Sequence, residues 1–238
     1  MILEGRRAVP RWLEEEWILY EDEALIAVHK PAGVPSQEAR PGDGDDLPSR
    51  VRRFLAERAG ERSPPYLGVH QRLDRETSGV IVYAKRRDAN PGLARQLESR
   101  TVERVYLAGV EGWPGGRSRT LRDQHSELGG RRVEVPRGRN DGRKDSRDGG
   151  EAIIHVCERA RTGARSLLEV RIETGSPASI RARLAQAGIP IAGDATYGGP
   201  PAPRLMLHAA RIALVHPIDG TPLVIDAPPP PALETWLA

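Results

Sequence analysis

The chain has 238 residues, enough for one domain with a sizeable core that needs neither disulfides nor a metal to hold it. Lys and Arg number 36 against 33 Asp and Glu, and all the cations but Lys30, Lys85 and Lys144 are arginine, a planar fork that suits a polyanionic partner. No apolar run is long enough to span a membrane, the N-terminus lacks the apolar stretch of a signal peptide, six histidines without H-x-x-H spacing argue against a metal site, and no glycine-rich phosphate cradle appears.

Residues 1–17 are charged, carry Trp12 and Trp17, and read as an N-terminal arm packed on a body formed by 18–238. Leu25–Val28 is a short apolar run between Glu21-Asp22-Glu23 and Lys30-Pro31-Ala32-Gly33, which predicts a buried strand closed by a Pro/Gly turn. Residues 36–48 read as a polar loop. From Leu47 to Ala59, apolar residues at 47, 51, 54, 55 and 59 follow a helical stripe that Gly60 stops. Val80–Ala84 reads as a second buried strand, 90–100 as a helix with Pro91 at its first position, and Arg104–Val110 as a third strand.

The stretch 111–151 breaks this pattern, with nine glycines and nine arginines and few apolar residues. A solvated loop, preferred for 137–150, and a cationic flap over nucleic acid both fit it. Strands resume at Ala152–Cys157 and at Ser166–Glu173, where Leu168, Val170 and Ile172 alternate. Residues 177–187 predict a short amphipathic helix, with Ile180 and Leu184 on one face and Gly188 as its stop. Leu205–His208 and Arg211–Val215 predict two further strands, and Pro228–Pro231 a rigid turn or extended tail. Several strands, few helices and no βαβ alternation give an α+β domain: a mixed, mainly antiparallel sheet with flanking helices and loops. The single cysteine, Cys157, suits a reducing compartment, so the expected location is the cytoplasm.

The densest polar cluster is His70 to Gly79, immediately before the strand 80–84. Asp74 lies there among Arg72, Arg75, Thr77 and Ser78. On pattern alone the commoner reading is a turn in which Asp74 caps backbone N–H groups. The functional reading is a carboxylate held by cations at a strand edge, poised as nucleophile or base. His155 with Cys157, and His208 and His216, read as structural rather than catalytic.

A resemblance bears on that choice. Arg72-Leu73-Asp74-Arg75-Glu76-Thr77-Ser78-Gly79, followed by Val80–Ala84 and Lys85, resembles the signature of the RluA-type pseudouridine synthases. Lys30-Pro31-Ala32-Gly33 resembles the family's K-P-x-G turn, and Arg104–Val110 its K-x-Y-x-A-x-V strand. Ile180-Arg181, Leu184, Gly188, Pro190, Gly193-Asp194 and Tyr197-Gly198 resemble a further family segment, and Leu207-His208-Ala209 with His216-Pro217 its closing one. These segments run in family order over nearly the whole chain.

The resemblance implies the pseudouridine synthase catalytic fold over 18–238 and an isomerase that converts uridine to pseudouridine in structured ribosomal or transfer RNA, with no cofactor and no metal. It implies Asp74 as the catalytic aspartate, Tyr106 as the active-site tyrosine, Arg181 as the aspartate's basic partner, and Arg72 as the arginine that enters the helix as the target uridine flips out. Arg75 is expected to join it in RNA binding. The 17 residues before Ile18 are too few for an S4-type RNA-binding domain, so a stand-alone, monomeric catalytic domain is expected.

The chain departs from the family at Gln71, where His is usual, and at Ser176, Ala178 and Ser179, where Arg, His and Gln are usual; Arg183 stands where His is frequent. Those departures motivate an alternative, a catalytically weak or inactive RNA-binding module of the same fold. A glycosidase acting on a small nucleoside is a weaker alternative, because only one cleft carboxylate, Asp74, is evident.

Overall fold

A computed structural model of the chain describes residues 2–4, 7–9, 12–38, 44–99, 101–116, 118–122, 153–174 and 177–238. Its strands are β1 (Ile2–Glu4), β2 (Arg7–Val9), β3 (Ile18–Glu21), β4 (Leu25–Lys30), β5 (Ser78–Ala84), β6 (Glu103–Glu111), β7 (Ser118–Arg122), β8 (Ile153–Thr162), β9 (Arg165–Thr174), β10 (Leu207–Val215) and β11 (Pro222–Asp226). Its helices are α1 (Leu47–Ala59), α2 (Asn90–Glu98), α3 (Pro177–Gln186) and α4 (Pro231–Glu234). β3 to β10 form one sheet in the order β3-β4-β5-β10-β6-β9-β8-β7, with β11 added on β10; β1 and β2 pair separately. Every pairing is antiparallel except β5 with β10. The α+β architecture and the mainly antiparallel sheet expected from the sequence are thus present.

β4 and β5 carry continuous apolar runs, Leu25–Val28 and Val80–Ala84, because both faces of the sheet are covered there. Ile26, Val28, Ile81 and Tyr83 point to one side, where they join Leu47, Val51 and Leu55 of α1. Leu25, Ala27, Val80 and Val82 point to the other and join Leu93 of α2. This is the period-two alternation of a strand read on two buried faces. α1 starts where Asp46 accepts the Ser49 N–H at 3.1 Å and stops at Gly60, whose φ of 69° is the left-handed cap that glycine adopts without strain.

Some boundaries differ from the expectation. α2 begins at Asn90, so Pro91 is its second residue, and it ends at Glu98. The strands expected at 205–208 and 211–215 are one strand, β10, with a register shift between Ala209 and Arg211 that interrupts its pattern. The loop expected from 111 contains β7, which pairs with β8 from Ser118↔Cys157 to Arg122↔Ile153. β7 is an edge strand with mostly exposed side chains, Leu121 packing against the core, so no hydrophobic alternation announces it. Residues 137–150 lie outside the described residues.

Candidate active site

The loop from Leu73 to Gly79 is clasped by the turn that follows β4. The buried Lys30 ammonium donates to the backbone oxygens of Pro31, Val34 and Arg75 at 3.1, 2.7 and 2.8 Å. Gly33 N–H donates to the Arg75 oxygen at 2.7 Å, and Arg75 Nε returns a bond to the Gly33 oxygen at 2.9 Å. Ser36 Oγ bonds both the N–H and the carbonyl of Leu73. Within the loop, Thr77 N–H closes a turn onto the Asp74 backbone carbonyl oxygen at 3.0 Å. Gly79 ends it with a φ of +125°, and a Cβ there would lie 2.2 Å from the Ala209 oxygen, so only glycine lets β5 and β10 meet.

That meeting point sets the geometry of the cleft. Ala209 of β10 is opposite Gly79 on one side and opposite Tyr106 of β6 on the other, which places the tyrosine one strand beyond the loop's exit. Tyr106 is buried; desolvation pushes its pKa to about 12, the Arg104 charge opposes the shift and the Asp74 charge adds to it. The phenol therefore stays protonated at neutral pH.

α3 supplies the third group. Arg181 Nη1 donates to Asp74 Oδ2 at 2.7 Å. The rest of the same guanidinium grips a second carboxylate: Nε and Nη2 donate to the two oxygens of Asp194 at 2.7 and 2.8 Å. Asp194 Oδ1 also accepts the N–H groups of Thr196 and Tyr197 at 3.0 and 3.2 Å, and the Tyr197 ring lies under the guanidinium, 5.3 Å from its carbon. Asp74 is one-third exposed while the Asp194 side chain has no exposure, so one carboxylate faces solvent and the other anchors. Asp194 first, and then Asp74, hold the Arg181 guanidinium well above its ordinary pKa against the opposing effect of burial.

The structure thus brings together Asp74, Tyr106 and Arg181. Arg72 is exposed and donates to Gln37 Oε1 at 3.1 Å, and Arg75 is exposed beyond the nitrogen that bonds Gly33. Gln71 has a structural role, because its Oε1 accepts the Val82 N–H at 2.9 Å, where β5 has parted from β10. Arg183 is buried and donates to Gln186 Oε1 at 2.5 Å. Ser176 lies outside the described residues.

Sequence reasoning gives Asp194 no role. The available signal was a lone carboxylate after the apolar run Ile189–Ala192, next to Gly193, where a Cβ would lie 1.9 Å from the Arg204 oxygen. Among the described residues, no group of three or more His, Cys, Asp or Glu could hold a metal ion.

A family model for RNA pseudouridylate synthase matches residues 24–186. The chain is 34% identical over 239 residues to ribosomal large subunit pseudouridine synthase D of Xanthomonas campestris, covering 93% of this chain and 68% of that one. It is 34% identical over 234 residues to an uncharacterised RNA pseudouridine synthase of Bacillus subtilis, covering 95% and 72%. Among solved structures, human RNA pseudouridylate synthase domain containing 4 superposes with a TM-score of 0.71 at 21% identity, covering 93% of this chain and 92% of that one, which speaks for the fold alone. With a family model over more than half its length and relatives above 30% identity, the chain belongs to the RNA pseudouridylate synthase family.

Proposed function

We propose that the cleft isomerises uridine to pseudouridine in structured RNA, with Asp74 as the catalytic carboxylate. The observation that carries this reading is the Asp74–Arg181–Asp194 chain of bonds beside a buried, protonated Tyr106. The reaction is an isomerisation: C1′ of the ribose exchanges its bond to N1 for a bond to C5, C5 loses a proton and N1 gains one. Atoms balance without a co-substrate. Asp74 acts as nucleophile or base at the ribose; Arg181 uses one nitrogen on Asp74 Oδ2 and, among the described residues, takes only one of its two oxygens. Tyr106 packs at the base and serves as a neutral proton donor.

Arg72 and Arg75 meet the RNA as exposed cations on the loop that carries Asp74. Residues 18–238 form the catalytic domain and 1–17 an arm. Asp74, Tyr106 and Arg181 meet within one copy of the chain, so the proposed site is complete in a monomer. Relatives named for the ribosomal large subunit support ribosomal RNA as the substrate, and the single cysteine, Cys157, favours the cytoplasm as the place of action. Among the described residues, no helix is long and apolar enough to cross a membrane.

The test is tritium release from RNA labelled at uridine C5, with pseudouridine mapped in RNA from a strain lacking the gene. Wild-type protein is expected to create a defined site, and Asp74→Asn to lose at least about 10⁴-fold in rate, the scale on which a catalytic group is missed. No new pseudouridine at high protein concentration would favour the RNA-binding module.

A further inference from the structure

The exit of the Asp74 loop is fastened to β10 by two parallel register pairs, Ser78↔His208 and Gly79↔Ala209. Both side chains of the first pair are fully buried and polar. Ser78 Oγ lies 2.8 Å from His208 Nδ1, and His208 Nε2 lies 3.2 Å from the Ala227 oxygen, just past β11. Arg204 Nη2 reaches Ser78 Oγ at 2.8 Å and the Glu76 backbone oxygen at 3.4 Å, so it grips the chain in the loop after Asp74 and again where β5 begins.

These bonds have one consistent direction. The Ala227 carbonyl only accepts, so His208 carries its proton on Nε2; Nδ1 then accepts the Ser78 hydroxyl, whose oxygen accepts from Arg204. Burial holds His208 neutral, at a pKa of about 3. His29, edge-on to it with ring centres 5.5 Å apart, is held by burial at about 4. An apolar pair would fill the same seam without desolvating two polar groups. What the polar pair adds is a fixed orientation of Ser78 and, through it, of Arg204.

We propose that His208 is a positioning residue for Asp74: acting through Ser78 and Arg204, it holds the motif loop in the shape that presents the carboxylate. This rests on the proposed function for its kinetic consequence, but not for its structural one.

Two substitutions separate the two ends of the imidazole. In His208→Asn the amide oxygen takes the place of Nδ1 and still accepts from Ser78. In His208→Gln the amide nitrogen takes the place of Nε2 and keeps Ala227, while Ser78 loses its acceptor. His208→Gln is expected to lose about tenfold in single-turnover rate at unchanged RNA affinity, the scale of one neutral hydrogen bond, and His208→Asn to stay within about threefold of wild type. Ser78→Ala should match His208→Gln, and the double variant should be no worse than either. Hydrogen exchange at the Thr77 amide, which bonds the Asp74 backbone carbonyl at 3.0 Å, reads the loop without RNA. It should speed up in His208→Gln and Ser78→Ala and not in His208→Asn. Equal exchange in the Asn and Gln variants, or rates that fall with stability alone, overturns the proposal. A wild-type protein without turnover overturns the proposed function instead, and the exchange result then decides the role of His208.

Discussion

Among the arginine–aspartate pairs of the described residues, two that share one geometry differ in everything around it. Arg181 grips Asp194 through Nε and Nη2 at 2.7 and 2.8 Å, and Arg211 grips Asp226 through the same two nitrogens at 2.6 and 3.0 Å. The first pair has side-chain exposures of 16% and 0%, the second 49% and 59%. Arg181 also bonds Asp74 and has a ring against its face. Arg211 and Asp226 stand opposite each other on β10 and β11. A two-point ion pair is therefore not a functional signature by itself. Burial, and the third group that the arginine holds, make one pair an anchor and leave the other a surface contact.

The largest effect should come from cutting the buried pair. Asp194→Ala strands a mostly buried guanidinium and leaves the Thr196 and Tyr197 amides without their carboxylate. Breaking such a pair costs about 3–5 kcal/mol. A guanidinium free to swing onto Asp74 should also lower the single-turnover rate by at least about 100-fold, because misplacement by about an ångström is enough for that. Urea denaturation and single-turnover kinetics on one RNA check both numbers. An unchanged rate in a folded variant would mean that Arg181 needs no anchor.

How far the sequence led depends on where each partner sits along the chain. α1 was legible because its stripe and its Gly60 stop are both local. β4 and β5 were legible because both faces are buried, which leaves an apolar run. β11 was not expected: its apolar run, Leu223-Val224-Ile225, is only three residues long, and Val224 in its middle is exposed. Asp74 with Arg181 came from a motif, not from pattern, since 107 positions separate the partners. Asp194 was given no role, and His208 was read as structural with no partner named, for the same reason. Their roles depend on how α3 lies over the 189–199 turn and on the parallel register of β5 with β10, and neither is a local property.

A smaller effect separates the cleft from the surface through pH. His208 and His29 lie at about 3 and about 4 in the folded protein, against 6.5 ordinarily, both because of burial. Below pH 6.5 the unfolded chain takes up protons that the native state refuses, so stability is present above that pH and is lost as pH falls. The slope is about 1.4 kcal/mol per pH unit for each histidine. Carboxylates held below their ordinary value of 4.5, Glu21 and Glu169 among them, add their own loss lower down, so pH 4.5 to 6.5 isolates the imidazoles. Urea midpoints across that window should fall steadily for wild type and less steeply for His208→Asn. Identical slopes would remove a buried neutral His208 from the linkage.

The smallest effect should come from the exposed pair. Arg211→Ala and Asp226→Ala each remove a contact that water and salt already screen. β11 remains fastened by register pairs from Arg211↔Asp226 to Val215↔Pro222 and by the burial of Ile225 and Ala227. The Ala227 oxygen that meets His208 should therefore stay in place. Urea midpoints are expected to match wild type at high salt and to separate from it only slightly at low salt, with single-turnover rates unchanged at both. The two variants should also behave alike, since neither leaves a buried charge behind. A rate loss on the scale of Asp194→Ala would mean that the two-point geometry matters wherever it occurs, and that burial does not set the two pairs apart.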